Sequence, residues 1–230
     1  TLPDTWLIGQ VPGLAVDKQD NVWLLHRPNS LSGLDLALEQ SPKTGLCCEA
    51  APHVLQLSPE GKVLNSWGGE SISPKLNGVN QWPQTVHGLY VDDKNTVWVG
   101  GNGKGDHVVL NFTADGKFIR QFGERNNTDG NMSESALGNP ADIHHDTHTG
   151  EVIIADGYIN KRIIGFDTNS NEFSRLWGAY GTAPGGGTRD GDFDVSQATA
   201  GADGINLTAR NFGDIVHCVT KSPDGRIYVC

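Results

Sequence analysis

The chain has 230 residues, with 17 Lys and Arg against 27 Asp and Glu and a formal charge of -10. No apolar run approaches the roughly 18 residues that a bilayer span needs. A balance this acidic argues against a nucleic-acid partner, whose phosphates call for clustered Lys and Arg. With 30 Gly and a single Met, the composition suits many tight turns and not a helical bundle.

Taken in order, the chain repeats itself. A first unit starts at Pro12-Gly13-Leu14-Ala15-Val16-Asp17, runs to His26-Arg27, and resumes at His53 to end at Trp67-Gly68. Residues 31–51 interrupt it and are expected to form a surface loop or short helix. A second unit spans 86–123, a third 140–178, and a fourth begins at Ile215 and runs to Cys230. Within each unit, short runs with apolar residues at every second position are separated by turn residues such as Asp115-Gly116. Period-two alternation marks a half-buried strand, and Asp-Gly between two such runs marks a hairpin. Four short antiparallel strands per unit, repeated, describe a β-propeller blade. The expectation is an all-β fold: one incomplete propeller domain over 1–230, with blades at 12–68, 86–123, 140–178 and 215–230. That amounts to about three and a third blades. An open β-sandwich is the competing architecture. The Gly- and Asp-rich stretch 179–214 reads as a long connector.

Four cysteines, Cys47, Cys48, Cys218 and Cys230, match no zinc-ribbon spacing. Adjacent cysteines seldom bond each other, so one of Cys47 and Cys48 is expected to meet Cys218 or another cysteine; a soft-metal site is the lesser alternative. A disulfide fits a periplasmic or secreted location. Asn-x-Ser/Thr sequons begin at Asn111, Asn126, Asn131 and Asn206 and hint at the same.

The first strand of a propeller blade lines the central channel, so residues at one offset in successive blades converge on the axis. His87 and His217 share that offset, and their imidazoles are expected to point to one end of the channel. Neutral imidazole is the commonest zinc ligand, and catalytic zinc usually has three protein ligands and an open position. Arg27 ends the second strand of the first unit, where its fork of donors could take a carboxylate. Tyr158, after Asp156-Gly157 at the comparable strand end, could act as a base beside a metal. Structural roles for these residues are the alternative.

The strand–Asp–turn–strand pattern, with Lys161-Arg162-Ile163-Ile164-Gly165-Phe166 and terminal Trp177-Gly178, resembles the NHL repeat. More specifically, Gly9 to Arg27, Val86-His87-Gly88-Leu89, Pro140-Ala141-Asp142, Ala155 to Tyr158 and Val216-His217 resemble the peptidyl-α-hydroxyglycine α-amidating lyase family. The resemblance implies a six-bladed propeller that splits an α-hydroxyglycine-extended peptide into peptide amide and glyoxylate. It implies zinc on His87 and His217, with a third His in blades beyond Cys230. It further implies Tyr158 and Arg27 as catalytic residues and a structural calcium on the backbone carbonyls of Leu14 and Leu89. The family's disulfide beside the catalytic Tyr is missing, with Gly138 and Ile159 at its two positions. A small-molecule or peptide substrate follows; a non-catalytic propeller that binds a protein or glycan is the alternative.

Overall fold

Strand pairing in the computed structural model, which describes residues 2–181, 184, 212 and 215–230, follows the repeats. A short strand β1 (Trp6–Leu7) precedes the first blade. That blade contains β2 (Gln10–Val16) and β3 (Val22–Arg27). The insertion contains β4 (Glu49–Ala50), and after it come β5 (Val54–Leu57) and β6 (Val63–Trp67). The blade sheet runs β2-β3-β5-β6, and β4 pairs in parallel with β1 outside it. A small hairpin of β7 (Lys75–Leu76) and β8 (Val79–Asn80) leads into the second blade. Its strands are β9 (Val86–Val91), β10 (Val97–Gly101), β11 (Val108–Phe112) and β12 (Phe118–Gly123). The third blade comprises β13 (Asp142–Asp146), β14 (Glu151–Asp156), β15 (Arg162–Asp167) and β16 (Glu172–Trp177). Each of these two blades is an antiparallel four-stranded meander, and β17 (Val219–Lys221) with β18 (Ile227–Val229) forms the hairpin of a fourth. This is propeller topology and not a sandwich. Most of 179–214 lies outside the described residues.

The buried core lies between blades. Trp23, Val54 and Trp67 of the first blade pack with Val97, Leu110 and Phe112 of the second. Trp98, Val109 and Phe122 pack with Ile143, Val152 and Ile164 of the third. Ile153, Ala155 and Ile163 pack on Val216 and Val219 of the hairpin. The middle strands β10 and β11 are buried along their whole length, which explains why they do not alternate and carry only one polar side chain, Asn111. The recurring Asp after the first strand has a clear physical purpose. Asp17 accepts from Asn21 N at 3.0 Å and from Trp23 Nε1 at 3.0 Å. Asp92 accepts from Thr96 N at 2.8 Å and from Trp98 Nε1 at 3.3 Å. One carboxylate thus closes the turn and anchors the core Trp of the next strand.

The first strands β2, β9, β13 and β17 stand side by side. Their approach is close: a Cβ on Gly88 would sit 2.9 Å from Ala141 O. The insertion 31–51 follows a single 3-10 turn at Pro28–Ser30 and is a mostly exposed loop, with no helix, that is tied down near its end by the pairing of β4 with β1.

The cysteines pair differently from the expectation. Cys218 bonds Cys230, and Cys47 bonds Cys48. The reason lies in the hairpin register: Cys218 N donates to Cys230 O at 3.1 Å and Cys230 N to Cys218 O at 3.2 Å. Their Cα atoms are therefore 5.1 Å apart, an ordinary bridging distance. This occupies Cys218 and leaves the two insertion cysteines to each other. Asn111 and Asn131 are buried, so their sequons offer no accessible acceptor in the folded chain.

Candidate functional site

Counting back five residues from the turn position of each blade gives Pro12, His87, Ala141 and His217. The side-by-side first strands carry these positions to one end of the channel, and there the two imidazoles meet. His87 Nε2 and His217 Nε2 are 3.1 Å apart. Tyr158 Oη is 3.1 Å from the same His87 nitrogen. The three rings form a triangle, with centroids 5.1, 5.3 and 5.8 Å apart.

Tyr158 is delivered by a buried polar clamp. Asp156, the last residue of β14, accepts from Gly138 N at 2.6 Å, Asn160 Nδ2 at 2.8 Å and Arg162 Nε at 2.9 Å. Arg162 is fully buried and also donates to Asn131 O at 2.8 Å and Ala136 O at 2.6 Å. Backbone bonds from Tyr158 N to Asn139 O at 3.2 Å and from Ile159 N to Gly138 O at 2.9 Å tie the two loops together. Gly138 and Ile159 are therefore hydrogen-bonded neighbours.

Arg27 completes the group. Its Nε donates to Val86 O at 2.8 Å, Nη1 to Gln10 Oε1 at 3.3 Å, and Nη2 lies 3.4 Å from His87 Nδ1 and 3.5 Å from Asn102 Oδ1. Burial, followed by the nearby His217 and Arg27, pushes the His87 pKa down to about 4. His87 is thus neutral at pH 7, the form that ligates metals. Two imidazole nitrogens on a tetrahedral ion with arms of 2.0–2.1 Å stand about 3.3 Å apart. The observed 3.1 Å is close to that edge. The pair therefore fits two ligands of a zinc site. Among the described residues no group of three or more His, Cys, Asp or Glu gathers at a metal-sized point.

Leu14 and Leu89 line a cavity of about 230 Å³ together with His87, His217 and Asp142. Nothing in the repeat marks Asp142 as a site residue, because its blade carries Ala141 at the His offset. Its Oδ2 accepts from Val219 N at 3.0 Å, and burial pushes its pKa up. Asn102 and Gln10, which steady Arg27, lie in loop and strand-edge positions with no repeating offset to reveal them.

No protein-family model matches the chain. Among curated proteins it is 26% identical over 171 residues to a probable peptidyl-α-hydroxyglycine α-amidating lyase of Caenorhabditis elegans. That match covers 74% of this chain and 44% of the worm protein. It is 24% identical over 204 residues to peptidylglycine α-amidating monooxygenase of Rattus norvegicus, covering 86% of this chain and 19% of that protein. The chain is similar to the amidating lyases. It spans less than half the length of these relatives. Its fold is shared with a protein of unknown function from Bacteroides thetaiotaomicron, at a TM-score of 0.55 and 13% identity over 98% of this chain and 46% of that one.

Proposed function

We propose that the channel end holding His87, His217, Tyr158 and Arg27 is the centre of a metal-assisted lyase. It would split the C–N bond of an α-hydroxyglycine-type substrate and release glyoxylate. The observation that carries this reading is the meeting of the two Nε2 atoms at 3.1 Å with Tyr158 Oη at hydrogen-bond distance. The named activity of the relatives supports the substrate class.

His87 and His217 would hold the zinc through Nε2. A bound zinc lowers the pKa of a hydroxyl placed on it. Holding an ion this way puts the His87 proton on Nδ1, where Arg27 can no longer donate. The guanidinium keeps Val86 O, Gln10 and Asn102 and gains a free Nη2 hydrogen for the substrate carboxylate. Tyr158 Oη would accept the substrate hydroxyl proton while passing its own proton to the departing amide nitrogen, as the carbonyl of glyoxylate forms, so Tyr158 ends the cycle as it began. Calcium on the carbonyls of Leu14 and Leu89 is a structural part of the same proposal.

The test is release of glyoxylate from an α-hydroxyglycine-extended peptide, with zinc content measured alongside. Tyr158→Phe is expected to cut turnover by about 10²- to 10⁴-fold, the usual weight of general acid–base catalysis, with zinc retained. Zinc binding without glyoxylate release by the wild type would remove the substrate assignment.

A further inference from the structure

The side chains of the centre are joined in a closed circuit of polar contacts that crosses three blades. Tyr158 Oη lies 3.1 Å from His87 Nε2, and His87 Nδ1 lies 3.4 Å from Arg27 Nη2. The same Nη2 reaches Asn102 Oδ1 at 3.5 Å. The return path runs through a residue with no part in the proposed reaction. Asn139 Nδ2 donates to Asn102 O at 3.0 Å, and Asn139 O accepts from Tyr158 N at 3.2 Å. Asn102 N in turn donates to Thr85 O at 3.0 Å, which ties this corner to the residues just before Val86 and His87.

Two properties fit asparagine to this place. Its φ is 58°, in the left-handed region that costs most residues energy and that Gly and Asn tolerate. Of those two, only asparagine carries an amide that can donate to a carbonyl of the neighbouring blade. Asn102 directly follows β10, and Asn139 stands three residues before β13, so the bond joins the second blade to the third. Asn139 is buried, which shelters the bond from competing water. Arg27 and Tyr158 are thus tied to opposite ends of one strut: Arg27 to the side chain of Asn102, and Tyr158 to the backbone of Asn139.

We propose that Asn139 is a positioning residue of the centre: its amide fixes the spacing between the loop that carries Tyr158 and the loop that steadies Arg27. The inference rests on the lyase reading for its effect on turnover, but its effect on the Tyr158–His87 contact needs neither metal nor substrate. In that reading Arg27 holds one end of the substrate while Tyr158 moves the proton of a hydroxyl a few bonds away. The spacing of the two groups then decides whether the substrate meets Tyr158 in a reactive pose. Without the Asn139 amide, Tyr158 N keeps its bond to Asn139 O, but that peptide is no longer pinned to Asn102, and Tyr158 Oη shifts away from His87 Nε2.

The experiment is a double-variant cycle of Asn139→Gly and Tyr158→Phe, read in two ways. Glycine keeps the left-handed backbone and removes only the side chain, and urea denaturation checks that each variant is folded. Asn139→Asp keeps the shape but, when ionised, has no hydrogen to donate, so it should behave like Asn139→Gly. In the metal-free protein, the ¹⁵N resonance of His87 Nε2 is expected to move in Asn139→Gly in the same direction as in Tyr158→Phe, with no further movement in the double variant. His145, in the third blade with its Nδ1 2.7 Å from Asp92 Oδ2, should keep its resonances, which a general loosening between the blades would change. In turnover, Asn139→Gly is expected to lower kcat by about 10- to 10²-fold with KM little changed, and to add nothing to the loss in Tyr158→Phe. An unmoved His87 resonance, movement of His145 as well, or losses that add in the double variant would overturn the proposal. If the resonances behave as expected but no α-hydroxyglycine peptide yields glyoxylate, the strut stands and the lyase reading falls. If peptides are cleaved and Asn139→Gly turns over like the wild type, the strut falls alone.

Discussion

Removing Arg162 probes how Tyr158 is held. Its side chain is fully buried, pairs with the equally buried Asp156 at 2.9 Å, and satisfies carbonyls of the 131–136 loop. Arg162→Ala leaves Asp156 as an unpaired buried charge and orphans those carbonyls. Breaking a buried pair from one side costs about 3–5 kcal/mol, a large share of the roughly 5–15 kcal/mol by which a domain is stable. Arg162→Lys keeps the charge but loses the planar fork that reaches Asp156 and the loop at once, and an expected loss of about 2 kcal/mol follows at one to two hydrogen bonds to charged groups. Replacing both partners, as Asp156→Leu with Arg162→Met, should recover part of the Arg162→Ala loss, because no isolated charge remains. Urea denaturation monitored by Trp fluorescence gives the differences. An Arg162→Ala variant within about 1 kcal/mol of wild type would refute the clamp.

Two further outcomes follow from the geometry. A Cβ on Gly157 would lie 2.0 Å from Val216 O and 2.5 Å from Val216 N, so Gly157→Ala must push apart the loop before Tyr158 and the segment that carries His217. The expected cost is about 1–3 kcal/mol, measured by denaturation, together with weaker metal binding; a neutral substitution would contradict the packing. Burial holds the folded pKa of His53 at about 4 against an ordinary 6.5, so between those values the unfolded chain takes up the proton first. Stability should fall as the pH drops through that window, by up to about 2–3 kcal/mol from this group. His53→Phe should flatten that part of the stability–pH curve, and an unchanged slope would show that His53 titrates normally.

Much of the architecture was legible in the chain, for definite reasons. The Asp17 and Asp92 turns recur because each carboxylate must close a hairpin and hold the Trp six residues on, so turn and core spacing repeat together. The same offsets place His87 on β9 and His217 just before β17, on either side of β13, and their rings meet at one end of the channel. What could not be read depends on contacts without a period. Asp142 sits one residue off the His offset. The Asp156–Arg162 clamp joins the third blade to a loop some thirty residues earlier. His53 follows an insertion that breaks the repeat, so no counterpart in another blade marks it. The cysteine pairing departs from the expectation because the hairpin register, which no repeat in the sequence displays, sets Cys218 opposite Cys230.

Zinc titration against a competing chelator tests the shared-ion centre most directly, using wild type, His87→Ala and His217→Ala. The geometry predicts one zinc site in the wild type and a marked loss of affinity on removing either imidazole. Zinc affinity that is the same in all three proteins would show that the two nitrogens do not grip one ion.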